Sequence, residues 1–207
     1  MTIYRHQETG KKFHFIHIPR TGGRFINKNI LLNGFRCEHK PYKERFECVQ
    51  IGHFHRHLYE KYLNVKDIPH IAVIRDPLDR FISASRRLRQ DYGNKVEELV
   101  EDPRFISFLC GSHNDLDNWF RPQIDFLSNT TYIWKYKDGF GSHFSLWMSN
   151  ILGVPFIIHD VPYEKVGPEN YRKVKVNARI IDNIRRFYGD DYAQLDSSLQ
   201  KGEKTKT

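Results

Sequence analysis

Cysteine is scarce, and its placement excludes more than its number. Cys37, Cys48 and Cys110 are an odd set with no CxxC spacing. That argues against a disulfide framework, a zinc site or a catalytic thiol, and predicts thiols that fill space in a reducing compartment. Long apolar runs are missing too: nothing approaches the ~18 residues a membrane-crossing helix needs, so no membrane span is expected. The opening Met1-Thr2-Ile3-Tyr4-Arg5-His6-Gln7 has neither the apolar core nor the small-residue cleavage site of a secretory leader. These absences predict a cytoplasmic protein. There is no internal repeat and no low-complexity tract. No zinc finger, RRM or helix-turn-helix signature is present, so nucleic acid is not the expected partner.

What is present in excess is positive charge. Lys and Arg number 33 against 25 Asp and Glu, a net charge of +8. Such a balance favours anionic ligands, among them nucleotides and sulfated or carboxylated glycans. The densest cluster, Arg86-Arg87-Leu88-Arg89 with Arg80 earlier on the same predicted helix, reads as a solvated helix face. With 39% hydrophobic and 14% aromatic residues, the 207-residue chain is expected to fold as one domain. Residues 1–12 form a polar arm or edge hairpin in this reading, and residues 201–207 a flexible tail.

Short apolar runs alternate with amphipathic ones. Strands are predicted at Phe13–Ile18, Glu47–Ile51, Ile71–Arg75, Tyr132–Tyr136 and Pro155–Ile158. Helices are predicted at Gly23–Leu32, Arg56–Leu63, Pro77–Tyr92, Pro103–Leu109, His143–Leu152 and Val176–Tyr188. Ile71-Ala72-Val73-Ile74 is apolar on both faces, as in a central parallel strand covered by helices. The pattern predicts a three-layer α/β fold with a central parallel sheet flanked by helices. In such sheets ligands bind beyond the carboxyl ends of the strands.

Two segments lie at such ends. Pro19-Arg20-Thr21-Gly22-Gly23-Arg24 follows the first strand. Its glycines let a ligand approach the backbone, and the N–H groups and dipole of the next helix favour an anion there. Arg75-Asp76-Pro77-Leu78-Asp79-Arg80-Phe81-Ile82-Ser83 follows Ile71–Ile74. Asp76 is a good N-cap and Pro77 a good first helical residue. Arg75, a cation at the end of a buried strand, calls for an anionic partner. Two separated anion sites suit a nucleotide with phosphates at both its 5′ and 3′ ends. No GxxxxGK[ST] sequence is present, which argues against a nucleoside triphosphatase or kinase.

Phe15-Ile16-His17-Ile18-Pro19-Arg20-Thr21-Gly22-Gly23 resembles the 5′-phosphosulfate loop of the carbohydrate sulfotransferases, in the subgroup related to heparan sulfate and uronyl 2-O-sulfotransferases. Arg75-Asp76-Pro77-x-x-Arg80-x-x-Ser83 resembles that family's 3′-phosphate motif, and Tyr188–Leu195 its closing helix. The resemblance implies a P-loop-like fold. It implies 3′-phosphoadenosine 5′-phosphosulfate (PAPS) as sulfuryl donor, adenosine 3′,5′-bisphosphate (PAP) as product, and no metal. Arg20 then stands where the family usually has lysine. It would stabilise the departing phosphate by charge rather than by donating a proton; one preorganised donor of this kind is worth about 3–4 kcal/mol of barrier. Thr21, Gly22 and Gly23 would cradle the 5′ end. Arg24-Phe25 replaces the usual Thr-Ser, with Arg24 as a second cation. Arg75 and Ser83 would grip the 3′-phosphate.

Gly52-His53-Phe54-His55-Arg56-His57 follows another predicted strand. Transfer to a hydroxyl needs a base, and histidine suits that task near neutral pH. The related 2-O-sulfotransferases carry His-Gly-His here. Gly52-His53 matches its second half, with Ile51 in place of the first histidine. His53 is thus the expected base and His55 the reserve. A metal site on His53 and His57 lacks a companion ligand at fitting spacing. Within Asn118-Trp119-Phe120-Arg121-Pro122-Gln123, Trp119 and Arg121 are candidates for an acceptor wall, and Gln123 for a hydrogen bond to substrate or cofactor. The expected function is sulfuryl transfer from PAPS to an acceptor hydroxyl, on a glycan or other small molecule. A small-molecule kinase and a non-catalytic anion-binding protein are the alternatives.

Overall fold

A computed structural model describes residues 3–38, 45–46, 49–92, 116–161 and 177–202. It is a mixed α/β protein. Five strands, β1 (Ile3–His6), β2 (Lys12–Ile16), β3 (Phe35–Cys37), β6 (His70–Ile74) and β7 (Thr131–Lys135), form one sheet in the order β3-β1-β2-β6-β7. A separate two-stranded sheet pairs β4 (Arg45–Phe46) with β5 (Val49–Gln50). The described helices are α1 (Gly23–Leu32), α2 (Arg56–Tyr62), α3 (Pro77–Tyr92), α4 (Ser142–Leu152), α5 (Ala178–Phe187) and α6 (Gly189–Gly202). No helix among the described residues is long and apolar enough to cross a membrane.

Strand alternation splits the core between the two sheet faces. Phe13, Phe15, Ile71 and Val73 pack with Ile26 and Ile30 of α1 and Phe144, Met148 and Leu152 of α4. Ile16, Ala72 and Ile74 pack with Leu58 and Tyr59 of α2, Val65 and Phe126. A third cluster joins Phe81 and Ala84 of α3 to Phe120, Ile180, Ile184 and Tyr188.

The sheet departs from the wholly parallel expectation. β2, β6 and β7 are parallel, in register His14↔His70 and His70↔Thr131. β1 and β3 are antiparallel additions. The amino-terminal segment expected as an arm or edge hairpin supplies an interior strand, because a tight turn at Gly10 (φ 71°) returns β1 onto β2. β5 is shorter than the expected Glu47–Ile51 strand and lies outside the main sheet. The predicted strand Pro155–Ile158 is irregular. Its backbone N–H groups are met by side chains instead: Phe156 donates to Ser149 Oγ (2.9 Å), Ile157 to Asn33 Oδ1 (2.7 Å) and Ile158 to Ser145 Oγ (3.0 Å). A segment satisfied by side chains needs no neighbouring strand. The predicted helix Pro103–Leu109 lies outside the described residues. Lys201 and Gly202, expected in the tail, end α6.

Because β2 and β6 are parallel neighbours, the loops leaving their carboxyl ends are neighbours as well. The Pro19–Arg24 loop and Arg75 therefore arrive at one edge of the sheet.

Two buried histidines make the fold acid-sensitive. His14 and His17 are 2% and 7% exposed, and the Nδ1 of each is buried without a hydrogen-bond partner. Burial first, then the neighbouring His70, holds His14 well below the usual histidine range. Burial first, then His53, does the same for His17. Their neutral forms are favoured in the folded state, while an unfolded chain protonates near pH 6.5. Stability is thus fully present above about pH 6.5 and falls as the pH drops toward the folded-state values. Each histidine contributes up to about 1.4 kcal/mol per pH unit in that window. Urea midpoints measured at about pH 7.5 and 5.5 should show the loss, and His14→Gln should reduce it. Equal midpoints at the two pH values would contradict this account.

Candidate functional site

Both loops and His53 line one cavity of about 420 Å³, together with His17, Trp119, Tyr136 and Phe140. Arg20, Gly22, Gly23, Arg24, Phe25, Arg75 and Ser83 all reach it, so most of the residues singled out from the sequence converge here.

The floor is the start of α1. Its N-cap is Gly22, in a left-handed conformation (φ 87°), with no side-chain cap and no acidic residue in the first turn. The leading N–H groups of a helix need acceptors. A Cβ at Gly22 would stand 3.1 Å from the Tyr136 ring and one at Gly23 2.0 Å from the His17 ring, so both positions demand glycine. Arg20 is also left-handed (φ 71°), uncommon for a residue with a side chain. Its Nε donates to Ser83 Oγ at 3.1 Å, and its carbonyl accepts from Arg75 Nη1 at 3.4 Å. The two motifs are thereby stitched together. The Arg75 guanidinium lies over the Tyr136 ring at 4.7 Å, and its Nε is buried without a hydrogen-bond partner. Phe25 leans on Phe140 with ring centres 5.6 Å apart, adding an aromatic wall.

Arg80 belongs to neither the cavity nor a solvated face. It is 1% exposed, and donates from Nε to the Pro19 carbonyl (3.1 Å) and from Nη2 to the carbonyls of Trp119 (3.0 Å) and Arg121 (2.8 Å). This buried cation clamps the glycine loop to the Trp119–Arg121 turn.

His53 ends a short 3-10 turn, Ile51–His53, directly after β5. Its Nδ1 lies 2.7 Å from Asp117 Oδ2, and its ring meets His17 edge-on at 5.0 Å. Asp117 was not legible as a partner, since its residue type and its surroundings in sequence carry no signal for it.

Other expected residues take different places. The Thr21 hydroxyl donates to the Ile18 carbonyl (2.8 Å) and braces the loop from a buried position. His55 does not line the cavity; its Nδ1 is 3.5 Å from Asn118 Nδ2. Arg121 turns to Asn118 Oδ1 (2.8 Å) and Asp125 (3.2 Å), and burial holds its guanidinium below the ordinary arginine range. Gln123 is buried and bridges the backbone of Arg75, accepting from its N–H (2.9 Å) and donating to its carbonyl (2.8 Å). It fixes Arg75 in place rather than facing a ligand. Of the three acceptor-site candidates, Trp119 alone lines the cavity. Among the described residues no cluster of three His, Cys, Asp or Glu side chains could hold a metal ion.

Compared with protein families, curated proteins and solved structures, the chain finds no match in any of the three.

Proposed function

We propose that this protein is a sulfotransferase that uses PAPS as donor and an acceptor hydroxyl, on a carbohydrate, as recipient. The observation that carries the reading is the meeting of two arginine-bearing loops and a histidine in one cavity. The cavity residues fit a doubly anionic nucleotide. Arg75 Nε is buried and unpartnered, the N-terminus of α1 has no side-chain cap, and a Cβ would fill the glycine cradle. Gly22, Gly23, Arg20 and Arg24 would hold the 5′-phosphosulfate, and Arg75 and Ser83 the 3′-phosphate. The parallel β2-β6-β7 core and the glycine loop ahead of α1 support the finer reading of the fold as three-layered and P-loop-like.

When bound, the donor supplies an electrophilic sulfur and a phosphate leaving group. His53 takes the proton of the acceptor hydroxyl as that oxygen bonds to sulfur. The bond from sulfur to the 5′-phosphate oxygen breaks, and its electron pair leaves with PAP. Arg20 and Arg24 stabilise the charge that collects on that phosphate. A guanidinium keeps its proton, so this help is electrostatic.

Calorimetric titration tests the reading. PAP should bind, ATP with magnesium should bind far more weakly, and Arg75→Ala should cost roughly tenfold or more in PAP affinity, as expected for lost charge-assisted hydrogen bonds. A folded protein that ignores PAP would sink the proposal.

A further inference from the structure

We infer that Asp117 is the positioning residue of the proposed base. It holds His53 in the tautomer protonated at Nδ1 and leaves Nε2 as the proton acceptor at the cavity. The inference rests on the reading of His53 as base, but its geometry stands apart from that reading.

Asp117 Oδ2 and His53 Nδ1 are 2.7 Å apart, and their side chains are only 11% and 12% exposed. An ionised carboxylate can only accept, so Nδ1 must carry the proton. A neutral imidazole bound in this way keeps its lone pair on Nε2. The carboxylate is itself held: Asp117 Oδ1 accepts the N–H of Gln50 at 2.8 Å, from the strand that leads into His53. One side chain thus fixes both the ring and the backbone ahead of it.

The turn carrying Asp117 is conformationally costly. Asp117 and Asn118 have φ of 52° and 60°, the left-handed region that few residues with side chains occupy. It persists because the surroundings dictate it. Asn118 Nδ2 donates to the His53 carbonyl (2.9 Å), Arg121 Nε donates to Asn118 Oδ1 (2.8 Å), and Arg80 holds the carbonyls of Trp119 and Arg121. Strained turns held in this way are concentrated at functional sites. Arg80 also binds the Pro19 carbonyl, so the turn that orients the base is tied to the loop that would hold the donor. Once His53 accepts a proton, the Asp117 carboxylate stabilises the imidazolium.

The test is nitrogen NMR of the full chain labelled in its histidines, at about pH 8, where free histidine is neutral. His53 should show a protonated Nδ1 and an unprotonated Nε2. In Asp117→Asn the carboxamide can donate to Nδ1, so the tautomer should reverse. The kcat for sulfuryl transfer should then fall on the order of 100-fold, with PAP affinity and the acceptor KM little changed. Asp117→Glu should restore the tautomer and part of the rate. A wild-type His53 protonated at Nε2 overturns the inference. So does Asp117→Asn with full kcat, or one whose only defect is a lowered melting temperature and lost PAP binding. The tautomer is read without turnover, so a protein that transfers no sulfuryl group would refute the proposed function and still decide the role of Asp117.

Discussion

Replacing His53 by alanine is expected to slow sulfuryl transfer by about 100- to 10,000-fold while PAP binds as before. An acceptor alcohol holds its proton tightly at neutral pH, so its attack on sulfur builds positive charge on oxygen unless a base removes that proton. His53 lines the cavity and is the base in the proposed transfer. The ring of His17 also reaches the cavity, but burial holds it well below the usual histidine range, with the His53 and arginine charges adding to the effect. The side chain of His53 makes its close contacts with Asp117 and His17. Arg20, Arg75 and Ser83 are bonded among themselves and do not depend on it. Rate and affinity should therefore separate. His55→Ala is the matched control: its ring does not line the cavity, so turnover should stay within a few-fold of wild type. Initial rates and PAP titrations on the two variants decide the matter. Unchanged turnover in His53→Ala, or a large loss in His55→Ala, would move the base elsewhere.

The parts of this site that can be read from sequence are those whose chemistry is local. α1 and α3 begin and end where the pattern places them, at Gly23–Leu32 and Pro77–Tyr92. A glycine pair opens the first, Gly22 as its N-cap and Gly23 as its first residue. Asp76 caps the second, accepting the N–H of Asp79 at 2.9 Å. An arginine ending an apolar strand is equally local, and Arg20, Arg75 and Ser83 do come together. What sequence does not disclose is tertiary pairing. Asp117 lies 64 residues from His53, in a stretch with no periodicity to mark it. Arg80 and Gln123 are polar residues whose partners are distant backbone groups, so composition alone casts one as a surface cation and the other as a ligand contact. The irregular 155–158 segment misleads for the same reason. Its buried Phe156 and exposed Ile157 alternate like a strand, while its hydrogen bonds go to serine side chains of α4 and to Asn33 in the turn after α1.

A large effect is also expected from a single methyl group at Gly23. A Cβ there would stand 2.0 Å from His17 Cδ2 and 2.1 Å from Nε2, far inside the ~3.5 Å at which such atoms normally rest. The ring has little room to yield. His17 is 7% exposed, stacked on Phe15 at 6.2 Å and set edge-on to His53 at 5.0 Å. Either α1 shifts away, carrying its first N–H groups out of the cradle, or His17 is driven against His53. Overpacking of this kind typically costs about 1–3 kcal/mol. Gly23→Ala should therefore melt earlier and lose PAP affinity. Adding His17→Ala removes the atoms that clash, so the double variant should be more stable than the two separate changes predict. Gly189→Ala, where a Cβ meets nothing within 4 Å, should leave both measurements close to wild type. If Gly23→Ala alone matched the wild type in melting temperature and PAP affinity, the contact between the His17 ring and the start of α1 could not be what shapes the cradle.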